Sequence, residues 1–223
     1  MRKEFKFEVD KERGKVSAIL SQPANAKILL VVAHGAGTDM RHFFLENLCE
    51  LLAEKSIATM RYNFPYKEKG GKGGPNGPKI LTATIVAAIE KAKQLAPQLK
   101  LFAGGKSMGG RMTSQTESAA PLGIRGLVFF GFPLHPPGKP GIERADHLKQ
   151  VAVPMLFLQG PRDTLAKPEL MQPVIKDLGS KAQIHMVDGA DHSFKVLKRS
   201  ERNEEEVLEE LAGISSDWMK SKQ

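Results

Sequence analysis

The sequence predicts an α/β fold, a mostly parallel central sheet with helices on both faces. Two observations lead there. Short continuous apolar runs recur at 28–33, 57–60, 101–103, 126–130, 155–158 and 184–187, and strands apolar on both faces belong in a parallel sheet that helices cover. Between them lie segments whose apolar residues repeat at three and four, the period of a helix packed on a sheet.

Ahead of the first run, Phe5, Phe7 and Val9 alternate with charged residues and residues 16–20 follow a Gly14 turn, which predicts an antiparallel hairpin at the sheet edge. Phe44, Leu48, Leu51 and Leu52 form one helical face, with Cys49 as packing material in the same helix. Leu81, Ile85, Ala88, Ile89 and Ala92 form another. Residues 67–78 carry too much Gly and Pro for a regular element and are expected to form a mobile loop. The run at 101–103 leads through a sharp turn at Ser107 into a helix. Prolines hold the segment 131–140 stiff and extended. The last helix opens on Asn203 with Glu206, a capping-box pattern, and shows one stripe of Val207, Leu208, Leu211, Ile214 and Trp218. No repeat or boundary interrupts the chain, so residues 1–223 are expected to form one domain, below the ~250–300 residues at which single cores stop growing.

A composition of 41% hydrophobic and 26% charged residues excludes the disordered and collagen-like classes. The net charge of +8 favours anions. The lysines are scattered, with no aromatic residues interleaved as a stacking platform, so no nucleic-acid partner is expected. No apolar run approaches the ~18 residues of a membrane span. The N-terminus alternates charge with apolar residues rather than forming a secretory leader, and the single cysteine cannot make an intramolecular disulfide, so a cytoplasmic location is expected.

The chemistry centres on Gly105-x-Ser107-x-Gly109, read as a nucleophile elbow in which a strand turns tightly into a helix and exposes the serine. A serine hydroxyl needs a base within reach, a carboxylate to orient that base, and donors for the oxyanion. His192 follows the 184–187 run and precedes the last helix, and Asp163 follows the 155–158 run. Asp191 adjoins the histidine and has difficulty reaching its far ring nitrogen, while Asp188 serves only if its loop folds back. Asp163 is therefore the expected acid. Oxyanion donors are expected from the Met108 amide and from Ala33-His34-Gly-Ala-Gly37, with Ala36 first and Gly37 or Gly35 next. His34 is expected to shape this loop and is also a candidate substrate contact. Lys100 stands where a phosphate-binding P-loop needs its first glycine, which excludes nucleotide hydrolysis. There is no H-E-x-x-H and no cysteine pair, so neither metal nor cofactor is expected.

Taken in order, His34-Gly-Ala-Gly37, Arg61-Tyr-Asn-Phe-Pro65, Gly104-Gly-Lys-Ser-Met-Gly-Gly-Arg111, residues 131–140, Gln159-Gly-Pro-Arg-Asp163 and Asp191-His-Ser-Phe194 resemble the α/β-hydrolase superfamily. More narrowly they look like a small family of predicted hydrolases related to dienelactone hydrolases. Its eukaryotic branch is similar to a subunit of a chromatin acetyltransferase complex and to a testis-expressed protein. The resemblance implies an α/β-hydrolase fold and Ser107, Asp163 and His192 as a triad, although dienelactone hydrolase itself uses cysteine where this chain has Ser107.

Only residues 131–154 separate two strands where many lipases insert a helical cap, so minimal or no cap and an open site are expected. Phe64, Lys106 and His135 are further candidate substrate contacts, with Lys139 beside His135. Lys67, Lys69, Lys72, Arg41 and Arg162 could join Lys106 in a positive ring for an anionic acyl substrate. The expected activity is hydrolysis of an ester or thioester through an acyl-enzyme, with kcat/KM rising with pH near ~6.5 as the base becomes neutral. The alternative is a catalytically silent module that binds a protein partner through the same scaffold.

Overall fold

Strand propensity and burial build the sheet from both ends of the chain in a computed structural model that describes residues 1–68 and 74–222. Its strands are β1 (Arg2–Asp10), β2 (Gly14–Ser21), β3 (Ile28–Ala33), β4 (Ile57–Tyr62), β5 (Lys100–Lys106), β6 (Leu127–Phe130), β7 (Met155–Gln159) and β8 (Ala182–Met186). They lie in the order β1-β2-β4-β3-β5-β6-β7-β8. The pairs β1–β2 and β2–β4 are antiparallel, and every pair from β4 to β8 is parallel. The expected hairpin is thus β1–β2, with Phe7 paired to Val16 and both buried.

The helices are α1 (Phe43–Glu54), α2 (Pro65–Glu68), α3 (Pro78–Leu95), α4 (Met108–Ala119), α5 (Pro168–Leu178) and α6 (Glu204–Ser221). Alternation along each strand sends side chains to two separate cores. Ile28, Leu30, Val32, Phe102, Val128 and Leu156 pack with α1 and α6. Leu29, Val31, Ala103, Leu127, Phe129 and Phe157 pack with α3, α4 and α5. Helices therefore cover both faces, and β3, β4, β6 and β7 are buried throughout, as is β5 between its half-buried end residues Lys100 and Lys106, because each has neighbours above, below and on both sides. The capping box on α6 is formed, Asn203 accepting from the Glu206 amide and Glu206 from the Asn203 amide.

The structure departs from expectation in three places. Lys67 and Glu68 belong to the short helix α2, and Pro78 opens α3 as its first residue, so regular structure enters the 67–78 segment from both ends. Residues 69–73 of that expected loop, Lys69 and Lys72 among them, lie outside the described residues. β8 starts at Ala182 and is only half-buried, because it is the edge strand. Helix α5 was not anticipated. Its stripe of Met171, Val174, Ile175 and Leu178 is helical in period, but Pro173 interrupts the pattern as read along the chain.

Candidate active site

The carboxyl ends of the parallel strands share one edge of the sheet, and every expected catalytic residue leaves that edge: Gly35–Gly37 after β3, Ser107 after β5, Asp163 after β7 and His192 after β8. Ser107 joins β5 to α4 at φ 50° and ψ −115°, a region that costs a non-glycine residue of order 1–3 kcal/mol. The turn closes because its glycines have no side chains. A Cβ on Gly105 would stand 2.3 Å from the Ala33 carbonyl oxygen, and one on Gly109 2.4 Å from the same atom.

The turn brings three side chains into one chain of hydrogen bonds. His192 Nε2 lies 2.8 Å from Ser107 Oγ, and its Nδ1 lies 2.7 Å from Asp163 Oδ2. Asp163 is fully buried. Its Oδ1 accepts from the Leu165 amide at 2.7 Å and its Oδ2 also accepts from Gln159 Nε2, so backbone and side chain fix its orientation. Asp191 serves the histidine differently. Its Oδ1 accepts from the amides of Ser193 and Lys195 and so folds the loop that presents His192. Asp188 is exposed on the same loop.

Met108 is the first residue of α4, so its amide has no partner inside the helix and stands beside Ser107. The β3 loop faces it. Ala36 and Gly37 line a cleft of about 370 Å³ together with Gly35, Thr38, Ser107 and His192. Tyr66 steadies that loop from behind, its hydroxyl donating to the Ala36 carbonyl at 2.8 Å, while burial pushes its pKa up to about 12. Neither this tether nor Gln159 was assigned a role from sequence. Each lies near a motif, but only the fold shows where its side chain ends.

Three expected substrate contacts are buried and do not line the cleft. His34 is completely buried, its Nδ1 against the Gly35 carbonyl at 2.7 Å and its Nε2 accepting from the Phe64 amide at 3.2 Å. Burial lowers its pKa to about 4, so it is a neutral strut linking the loops after β3 and β4. Phe64 is likewise buried, edge-on to His34 and Tyr62. His135 is buried, with Nδ1 2.8 Å from the Pro136 carbonyl oxygen. Among the described residues, none of 131–154 lines the cleft. That segment packs instead through its 3-10 run Glu143–Gln150, with Ala145 and Leu148 in the core beside α4 and α5, and it forms no cap.

Lys106 does line the cleft, but among the described residues Arg41, Arg162 and Lys67 do not join it there. Arg41 is paired with Glu4 at 2.6 Å, and Arg162 donates to the carbonyls of Gly189 and Lys195. Lys67 lies over the Tyr66 ring. The cleft instead gains Lys195, together with His42, Phe43, Phe44 and Leu45 from the start of α1. These were missed because their sequence signal, an apolar helix start, is that of ordinary core.

Fold and site together define an α/β protein built to present one serine at the edge of its sheet. The chain belongs to the alpha/beta hydrolase domain family, whose model matches residues 26–220. It is similar in structure to a dienelactone hydrolase from Anabaena variabilis (TM-score 0.77, 18% identity, 99% of this chain and 98% of that one). It is also similar to a Xanthomonas campestris protein described as an a/b serine hydrolase without lid (TM-score 0.75, 18% identity, 97% and 94%). Est1E from Butyrivibrio proteoclasticus superposes at TM-score 0.72 with 16% identity, over 97% and 99%. In sequence it is 25% identical over 212 residues to two Mycobacterium tuberculosis proteins that carry the name phosphoribosyl transferase, covering 91% of this chain. The chain spans 43% of the length of those relatives. No described helix is long and apolar enough to cross a membrane.

Proposed function

We propose that the protein is a serine hydrolase that cleaves a carboxylic ester or thioester through an acyl-enzyme. The observation that carries this reading is the hydrogen-bond chain from Asp163 through His192 to Ser107, with both ring nitrogens engaged at 2.7 and 2.8 Å. In the proposed cycle Ser107 Oγ attacks the carbonyl carbon while its proton passes to His192 Nε2, and Asp163 holds the ring with its proton on Nδ1. The oxyanion faces the amides of Met108 and Ala36, with Gly37 as the neighbouring donor. Collapse expels an alcohol or thiol, which takes the proton from His192. A water molecule then repeats the steps and releases the carboxylic acid.

The membership of the alpha/beta hydrolase domain family supports the reaction class. The cleft supports the substrate class: Phe43, Phe44 and Leu45 offer an apolar wall, while Lys195 is exposed at the rim. An acyl group with a hydrocarbon part and a negative charge fits this lining. A p-nitrophenyl ester of succinic acid is expected to show a higher kcat/KM than the acetate, with an advantage that shrinks as salt is added.

The test of the reaction itself uses a fluorophosphonate, which reports an activated serine without a known substrate. Intact mass should show one adduct per chain, lost in Ser107→Ala. Well-folded wild-type protein that stays unlabelled would contradict the hydrolase reading and favour a silent scaffold that binds a protein partner.

A further inference from the structure

The residue before the serine carries a charge into a place where an apolar side chain would be cheaper. Lys106 ends β5, and its side chain passes beneath Gly35, with Cγ 3.8 Å from where a Gly35 Cβ would stand. It continues to the far side of the cleft. There Nζ donates to the backbone carbonyl of His192 at 2.5 Å. The ammonium lies over the rings of Phe44 and Phe194, 5.9 and 5.3 Å from their centroids, and those two rings stack on each other. Gly131 completes the slot, since a Cβ there would meet Nζ at 3.1 Å, the His192 oxygen at 3.2 Å and His192 Nδ1 at 3.5 Å.

The loop that Lys106 holds has a reason to need holding. Phe194, two residues after the histidine, sits at φ 64°, a conformation that non-glycine residues rarely adopt. Asp191 folds the loop from within, and Phe194 anchors it on α1 through Phe44. Neither side chain hydrogen-bonds the backbone of His192 itself. Among the described residues Lys106 is the side chain that does, and no carboxylate lies close enough to form an ion pair with it.

We infer that Lys106 is a positioning residue for the general base, fixing the backbone of His192 so that the imidazole stays aligned between Asp163 and Ser107. This rests on the hydrolase reading above. A methionine of similar length would fill the slot without the desolvation cost of an ammonium. What the lysine adds is a charge-assisted bond to one carbonyl. Displacement of a catalytic group by ~1 Å can cost ~100-fold in rate, so the expected signature lies in kcat rather than in KM.

The charge gives the test a second readout. Burial lowers the Lys106 pKa to about 8, against the opposing pull of Asp163 and Asp191, and His42, His192 and Lys195 are the other titratable groups lining the cleft. As pH rises through about 8 the ammonium becomes an amine and the bond to His192 weakens. With p-nitrophenyl acetate, a neutral probe, wild-type kcat should therefore fall across this range.

In Lys106→Met, kcat is expected to drop ~10- to 100-fold with KM little changed, and the alkaline fall should vanish. Lys106→Arg, which stays charged, should recover part of the rate and also lack the fall. Fluorophosphonate labelling of each variant, with circular dichroism, separates misfolding from misalignment: a folded Lys106→Met that labels slowly supports the assignment. A Lys106→Met enzyme with wild-type kcat and the same alkaline fall overturns it, as does a variant that raises KM for anionic esters alone, which would make Lys106 a substrate contact. If the wild type neither labels nor turns over the acetate, the hydrolase reading fails and this inference fails with it.

Discussion

Asp163 can orient a histidine only if its own carboxylate cannot turn, and Gln159 is what prevents it. Gln159 is fully buried at the end of β7, its Oε1 accepting from the Phe132 amide at 3.0 Å while its Nε2 donates to Asp163 Oδ2. With the Leu165 amide on Oδ1, the carboxylate has one orientation left, and it points at His192 Nδ1. Asp163→Asn keeps the shape but can present a donor to Nδ1, so the ring adopts the wrong tautomer; kcat is expected to fall by ~10⁴-fold with the fold intact. Gln159→Leu has a milder expected effect. It removes a donor from the carboxylate and strands the Phe132 amide, and labelling by the fluorophosphonate should slow by ~10- to 100-fold, as loss of an outer-shell partner commonly does. A labelling rate equal to wild type would show that the Leu165 amide alone is enough.

At the scale of elements, the site depends on how closely α4 approaches the end of β3. A Cβ on Gly109 would stand 2.4 Å from the Ala33 oxygen and 2.6 Å from the His34 oxygen, both backbone atoms at the root of the Ala36–Gly37 loop. Gly109→Ala must therefore push α4 and that loop apart. The expected cost is ~1–3 kcal/mol, a fall in Tm of roughly 5 °C, together with loss of labelling out of proportion to the lost stability. Unchanged labelling would mean that the loop can give without moving its amides.

The same contact explains what the sequence could disclose. Ser107, Asp163 and His192 were legible because each follows an apolar run, and in a parallel sheet the strand ends converge on one edge whatever the side chains do. The direction in which a loop side chain points has no such rule. His34 and Phe64 follow strands at the same edge, yet their rings turn into the core and pack on each other. The wall of the cleft comes from Phe43, Phe44 and Leu45, whose pattern along the chain is that of any buried helix start. α5 was hidden for a local reason: Pro168 sits at the first helical position, where a helix tolerates proline, but Pro173 lies inside the helix and lacks the N–H that would bond the Glu169 carbonyl, so the pattern does not read as a helix along the chain.

For the whole molecule, the site's demands appear as a liability in acid. His34 is a strut between two loops, and His147, within the 3-10 run, is held with Nε2 2.8 Å from Ser114 Oγ of α4. Burial lowers both pKa values to about 4, reinforced at His147 by the charge of Arg111. In the unfolded chain both return to 6.5. Between these values the unfolded state binds more protons than the native state, so stability rises with pH across the window and is lost as pH falls from 6.5 towards 4. Urea unfolding at a series of pH values from 7 to 4.5 should show this slope. His147→Gln can keep a hydrogen bond to Ser114 while removing one titrating group, so it should flatten the slope by up to one proton's worth without disturbing the cleft. A slope unchanged in His147→Gln would place the acid lability elsewhere, in His34 or in the carboxylates that ion pairs hold below their ordinary range, such as Glu4 beside Arg41 and Glu210 beside His185 and Arg202. Those carboxylates would act lower, because their depressed pKa values keep them ionised through most of the histidine window. The pH at which the slope sets in therefore separates the two sources.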